Sequence, residues 1–115
     1  MNLQLDNKLS LVTGSTKGIG LAIATSLARE KARVIINGRS EKSVNEAVTK
    51  IRVAVPNANL ETFAGDLADA KTTEALVKKF PVVEILVNNL GIFEPKPFEE
   101  IPDADWQRFL DVNVL

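Results

Sequence analysis

The stretch Thr13-Gly14-Ser15-Thr16-Lys17-Gly18-Ile19-Gly20 lies between an apolar run and a helix-like segment, and it constrains this chain more than any other feature. Leu9, Leu11 and Val12 read as a short buried strand, and Ile19, Ala22, Ile23 and Leu27 then recur at helical spacing. The glycines therefore fall on a strand-to-helix turn. A helix start offers unpaired N–H groups and a partial positive charge, and glycine lets an anion approach the backbone where a Cβ would stand in its way. The loop is a candidate cradle for a dinucleotide's diphosphate. The plainer alternative is a glycine-rich turn that only joins strand to helix.

The rest of the chain repeats the strand-then-helix alternation. Strands are expected near 9–13, 33–37, 60–64 and 83–88, and helices near 18–30, 41–54, 69–79 and from about 103 to the end. Val44, Ala47, Val48 and Ile51 form one apolar helix face while Glu41, Lys42 and Lys50 face water, and Leu76, Val77 and Phe80 form another such face. Nearly continuous apolar strands, each followed by a helix, imply a parallel sheet covered on both sides. At 115 residues this is one domain's worth of chain, without repeat, linker or low-complexity tract.

The glycines at 14, 18 and 20 depart from the common G-x-G-x-x-G fingerprint and follow T-G-x-x-x-G-x-G instead. Further along stand Asn37-Gly38-Arg39-Ser40 after the second apolar run, Gly65-Asp66-Leu67 after the third, Asn88-Asn89-Leu90-Gly91 after the fourth, and Asn113. In this order and separation they resemble the short-chain dehydrogenase/reductase family, and the likeness covers the whole chain. The resemblance implies a Rossmann-like doubly wound α/β fold with a parallel sheet in the order 3-2-1-4. It also implies that residues 1–115 are the N-terminal part of a single dinucleotide-binding domain truncated before its C-terminal half, since family members run to about twice this length.

Site residues follow from the same resemblance. Gly14, Ser15, Thr16, Lys17, Gly18, Ile19 and Gly20 would hold the diphosphate. Asp66 would accept from the adenine amino group while the Leu67 backbone holds the ring, the alternative being that Asp66 caps the third helix. Asn89, Leu90 and Gly91 would lie along the ribose and nicotinamide side, with Asn88 tying neighbouring strands. Leu90 departs from the family's N-N-A-G, putting a larger apolar side chain on the cofactor side of the loop. Asn113 would bend its helix and hold a water on the proton path, a supporting role only. The segment from Gly91 to Pro102 would border the substrate pocket or serve as a stiff connection.

Cofactor choice rests on the end of the second strand. A preference for the cofactor without a 2′-phosphate needs an acid there, and Asn37-Gly38-Arg39 supplies none. The Arg39 guanidinium suits phosphate, and Lys17 can reach the same region. NADP(H) is favoured over NAD(H).

The family's proton-donating Tyr, its Lys and its Ser all lie beyond the N-N-A-G strand, and this chain contains no tyrosine. With neither His nor Cys there is also no Ser-His-Asp triad, thiolate or Cys/His zinc site. Glu99, Glu100, Asp103 and Asp105 read as solvated acids around a turn. Two functions stay open: the cofactor-binding part of an NADP(H)-dependent reductase acting on a carbonyl or hydroxyl substrate, inactive as this chain alone, or a non-catalytic nucleotide-binding or assembly module.

Fifteen acids against fourteen bases give no electrostatic case for nucleic acid or an anionic membrane. Met1 to Lys8 lack a long apolar core and no stretch reaches bilayer length, so a cytoplasmic protein is expected. Trp106, Phe109, Leu110 and Val114 recur at helical spacing with nothing later to pack against, and the fourth strand would be an open edge. Homo-oligomerisation through that helix or that strand is the expectation.

Overall fold

The structure is a computed structural model; it describes residues 5–89 and the strand backbone of 113–114. Its elements run β1 (Leu9–Val12), α1 (Gly18–Arg29), β2 (Arg33–Gly38), α2 (Glu41–Ala54), β3 (Asn59–Ala64), α3 (Ala70–Lys79), β4 (Ile85–Val87) and β5 (Asn113–Val114). All pairings are parallel, in the order β3-β2-β1-β4-β5, with Leu11 beside Ile35 on one flank and Leu86 on the other.

The apolar runs explain the layering. Because side chains alternate across a strand, Val12, Val34, Ile36 and Ile85 pack with Ala24, Leu27, Val44, Ala47 and Ile51 of α1 and α2. Leu9, Leu11, Ile35 and Leu86 face the other way, onto Leu76, Val77 and Phe80 of the α3 side. Central strands with both faces covered are expected to be largely apolar, and β1, β2 and β4 are, with Ser10 and Asn37 as buried polar exceptions and Arg33 at the start of β2. β3 is an edge strand and only half-buried; Lys79 reaches its outer side, Nζ donating to the Thr62 carbonyl at 3.4 Å.

The helix expected near 18–30 is present as α1; its buried residues are Gly20, Ala24, Leu27 and Ala28, while Ile19 is 72% exposed. Two expectations need correction. Residues 113–114 form a strand rather than the end of a helix, which places Asn113 on β5; 103–112 and 115 lie outside the described residues. β4 is not an open edge, because β5 pairs with it at Ile85 and Leu86 and takes up its outward backbone groups. Self-association through an exposed fourth strand loses its basis; the proposed helical route falls on residues outside those described.

The turn between α1 and β2 is a Schellman motif: the Lys31 N–H donates to the Ala28 carbonyl at 3.0 Å and the Ala32 N–H to that of Leu27 at 3.1 Å. Lys31 takes φ 66°, a left-handed conformation in which its Cβ crowds the following carbonyl. Lys31→Gly should therefore stabilise the fold by about 1 kcal/mol, offset in part by the freer unfolded chain. Thermal denaturation checks this, and an unchanged or lowered Tm contradicts it.

Candidate dinucleotide-binding site

β1 and β4 are neighbours although α1, β2, α2, β3 and α3 intervene in sequence, so crossovers leave β1 in opposite directions and a crevice opens beyond the strands' C-terminal ends. A cleft of ≈ 440 Å³ occupies this place, bordered by Gly14, Thr16, Lys17, Asn37, Gly38, Arg39, Ser43, Gly65, Asp66 and Asn89. Every strand end from β1 to β4 contributes.

Helix starts in this protein are finished in two ways. α2 is capped by Ser40, whose Oγ accepts from the Ser43 N–H at 3.1 Å, and α3 by Asp69, whose Oδ1 accepts from the Lys71 N–H at 3.3 Å. α1 has Lys17 at its cap position and no side-chain cap. Among the described residues no hydrogen bond engages the amides of Thr16, Lys17, Gly18, Ile19 or Gly20. A helix start left bare beside a cleft presents donors to an anion.

The glycines shape that start. Gly14 and Gly18 take φ of 59° and 62°, the left-handed region glycine favours. A Cβ on Gly18 would meet nothing within 4 Å, whereas one on Gly20 would run into the Gly14 carbonyl oxygen and come within 2.8 Å of Asn89 Nδ2. Gly18 thus keeps a surface open, and Gly20 lets the helix close onto the loop before it.

Asn37 organises the floor. Although only 1% exposed, it has each polar group occupied. Its Oδ1 accepts from the Gly14 N–H at 3.0 Å, and its Nδ2 donates to the carbonyls of Phe63 at 3.0 Å and Gly65 at 3.2 Å. Its N–H donates to Ser15 Oγ at 2.8 Å, and its carbonyl accepts from the Ser15 N–H at 2.8 Å. Sequence reasoning missed this residue, reading it only as the absence of an acid. The polar residue closing the apolar run Val34-Ile35-Ile36 was the available signal.

On the other flank, Thr13 Oγ1 donates to Asn88 Oδ1 at 3.2 Å and accepts from the Asn89 N–H at 2.7 Å, while Asn89 Nδ2 donates to the Gly14 carbonyl at 3.3 Å. The expected residues divide accordingly. Gly14, Thr16, Lys17, Arg39, Asp66 and Asn89 border the cleft. Ser15 is buried against Asn37, and Leu67 has its side chain in the core with Leu76 and Phe80. Asp66 does not cap α3, since Asp69 does; its Oδ1 accepts from the Ala68 N–H at 2.9 Å. Leu90 and Gly91 lie outside the described residues, as does the side chain of Asn113. Lys17 and Arg39 are exposed at the cleft, and among the described residues neither enters an ion pair.

These features define a Rossmann-like doubly wound domain with a polar crevice at its switch point. The family model described as short chain dehydrogenase matches residues 8–115, and the chain belongs to that family of oxidoreductases, which bind nicotinamide cofactors. It is 50% identical over 115 residues to the uncharacterized oxidoreductase YvaG of Bacillus subtilis, covering 100% of this chain and 44% of that one. It is 30% identical to a 3alpha-hydroxysteroid dehydrogenase of Mediterraneibacter gnavus, over 99% of this chain and 47% of the relative. Among solved structures, an actinorhodin polyketide ketoreductase with NADPH superposes with a TM-score of 0.66 at 33% identity, over 92% of this chain and 40% of that one. The chain thus spans about 44% of the length of the relative YvaG. Among the described residues no helix is long and apolar enough to cross a membrane.

Proposed function

We propose that this chain forms the cofactor-binding part of an NADP(H)-dependent short-chain oxidoreductase, acting on a carbonyl or hydroxyl compound. The observation that carries the reading is the bare start of α1 beside a cleft that also holds two cations outside any described ion pair. Diphosphate oxygens accept from the unengaged amides between Thr16 and Gly20, where Gly18 leaves room for them. Arg39 and Lys17 hold the 2′-phosphate, and Asp66 with the Leu67 backbone reads adenine. Asn89, with Leu90 and Gly91, serves the ribose and nicotinamide side. NADPH, when bound, supplies hydride. The proton donor expected of this family is a tyrosine, and the chain has none, so by itself it binds without turnover.

Each hydrogen bond to a charged group is worth about 1.5–3 kcal/mol, and solvent screening at these exposed side chains offsets part of the two-bond sum, so the clamp favours the phosphorylated cofactor by roughly ten- to several-hundredfold. Calorimetric titration with NADPH and NADH should show that preference, and Arg39→Asp should invert it. Equal loss of both cofactors in the variant contradicts the role given to Arg39, and no binding of either by the parent chain contradicts the whole reading.

A further inference from the structure

We infer that Asn37 is a positioning residue for the cofactor, a clip that fixes the diphosphate loop and the adenine-side turn at one separation. This rests on the dinucleotide reading above. The two loops belong to different connections, residues 13–17 after β1 and 65–69 after β3, and β2 stands between them in the sheet. Asn37 is the residue whose one carboxamide reaches both: Oδ1 takes the Gly14 N–H, Nδ2 takes the Phe63 and Gly65 carbonyls.

The chemistry requires an amide. An oxygen must face the loop and a nitrogen must face the two carbonyls, so a carboxylate repels one side and an aliphatic side chain leaves both unpaired in a buried place. By engaging the Gly14 amide the clip also turns the loop so that the later amides, Thr16 to Gly20, are the ones left open. A ligand that touches both loops gains from a spacing set in advance.

Asn37→Asp and Asn37→Ala test this. A buried aspartate beside two carbonyl oxygens has its carboxyl pushed up; protonated, it restores one acceptor and one donor, whereas ionised it opposes the carbonyls. Asn37→Asp should bind NADPH roughly tenfold or more weakly than the parent at pH 8 and recover most of that loss as the pH falls toward 5.5, with circular dichroism showing both proteins folded throughout. Asn37→Ala should be weakened at every pH. Lys17, Arg39 and Asp66 border the cleft in all three proteins, so the profile is read as the ratio to the parent.

A folded Asn37→Asp whose ratio to the parent is flat with pH, or a folded Asn37→Ala that binds like the parent, overturns the proposal and leaves the dinucleotide reading standing. A parent chain that binds no dinucleotide ends that reading instead. Should the variants not fold, amide hydrogen exchange in the unaltered chain decides: slow exchange at Gly14 supports the clip, and exchange as fast as in an open loop overturns it.

Discussion

Gly20→Val should abolish cofactor binding and lower the unfolding free energy by about 1–3 kcal/mol, as expected for overpacking a closed contact. Helix propensity argues the other way, since glycine inside a helix costs up to about 1 kcal/mol relative to better helix formers. The contact decides the sign. A Cβ at this position would strike the Gly14 carbonyl oxygen, which is backbone and cannot swing aside as a flexible side chain does, and would approach Asn89 Nδ2 to 2.8 Å. Either the start of α1 moves away from the loop, or the Gly14 carbonyl shifts and strains its 3.3 Å bond from Asn89, which joins the β1 and β4 ends. Thermal denaturation with a calorimetric titration measures both effects, and a variant with parental Tm and affinity would show that the helix does not depend on this approach.

Gly38→Asp, the obvious route to NAD(H) preference, should fail. An acid at the end of the second strand reads the free ribose hydroxyl in many dinucleotide sites, but here the new Cβ would enter the space of the Thr16 γ-methyl, with Ser43 Oγ at 3.1 Å and Val44 Cγ2 at 3.2 Å. The single variant should lose about 1–3 kcal/mol of stability and bind both cofactors poorly. Thr16→Ser removes the obstructing methyl and keeps the hydroxyl, so the double variant should recover about 1 kcal/mol or more and acquire NADH binding. Denaturant unfolding of the four proteins in the cycle gives the coupling; strictly additive losses would mean that the two residues do not compete for one space.

The fold is legible where burial is local in its cause. Val34-Ile35-Ile36 and Ile85-Leu86-Val87 are strands with no polar side, and α2 spans the residues its apolar spacing marks. The inner face of α1 is not legible from the apolar spacing, because small residues at 20, 24 and 28 pack inward while the bulkier Ile19 is exposed. Hydrophobicity alone ranks those positions wrongly where close backbone approach is the governing demand. β5 was missed for a different reason: two residues carry too little pattern, and their strand state comes from pairing with Ile85 and Leu86. Of the candidate site, the glycine spacing announces the bare helix start, but the work of Asn37 lies in partners 22 to 28 residues away, a distance no local motif spans.

The polar knot at Asn37 also bears on how the chain finds its alignment. Three consecutive aliphatic residues in β2 would tolerate a shift along their neighbours with little change in greasy contact, and a one-residue slide exchanges the faces of the whole strand. Such a slide would carry the carboxamide away from Gly14, Phe63 and Gly65 and strand it among hydrocarbon. A single amide thus serves as the detent that makes one alignment of three strands cheaper than its near twins.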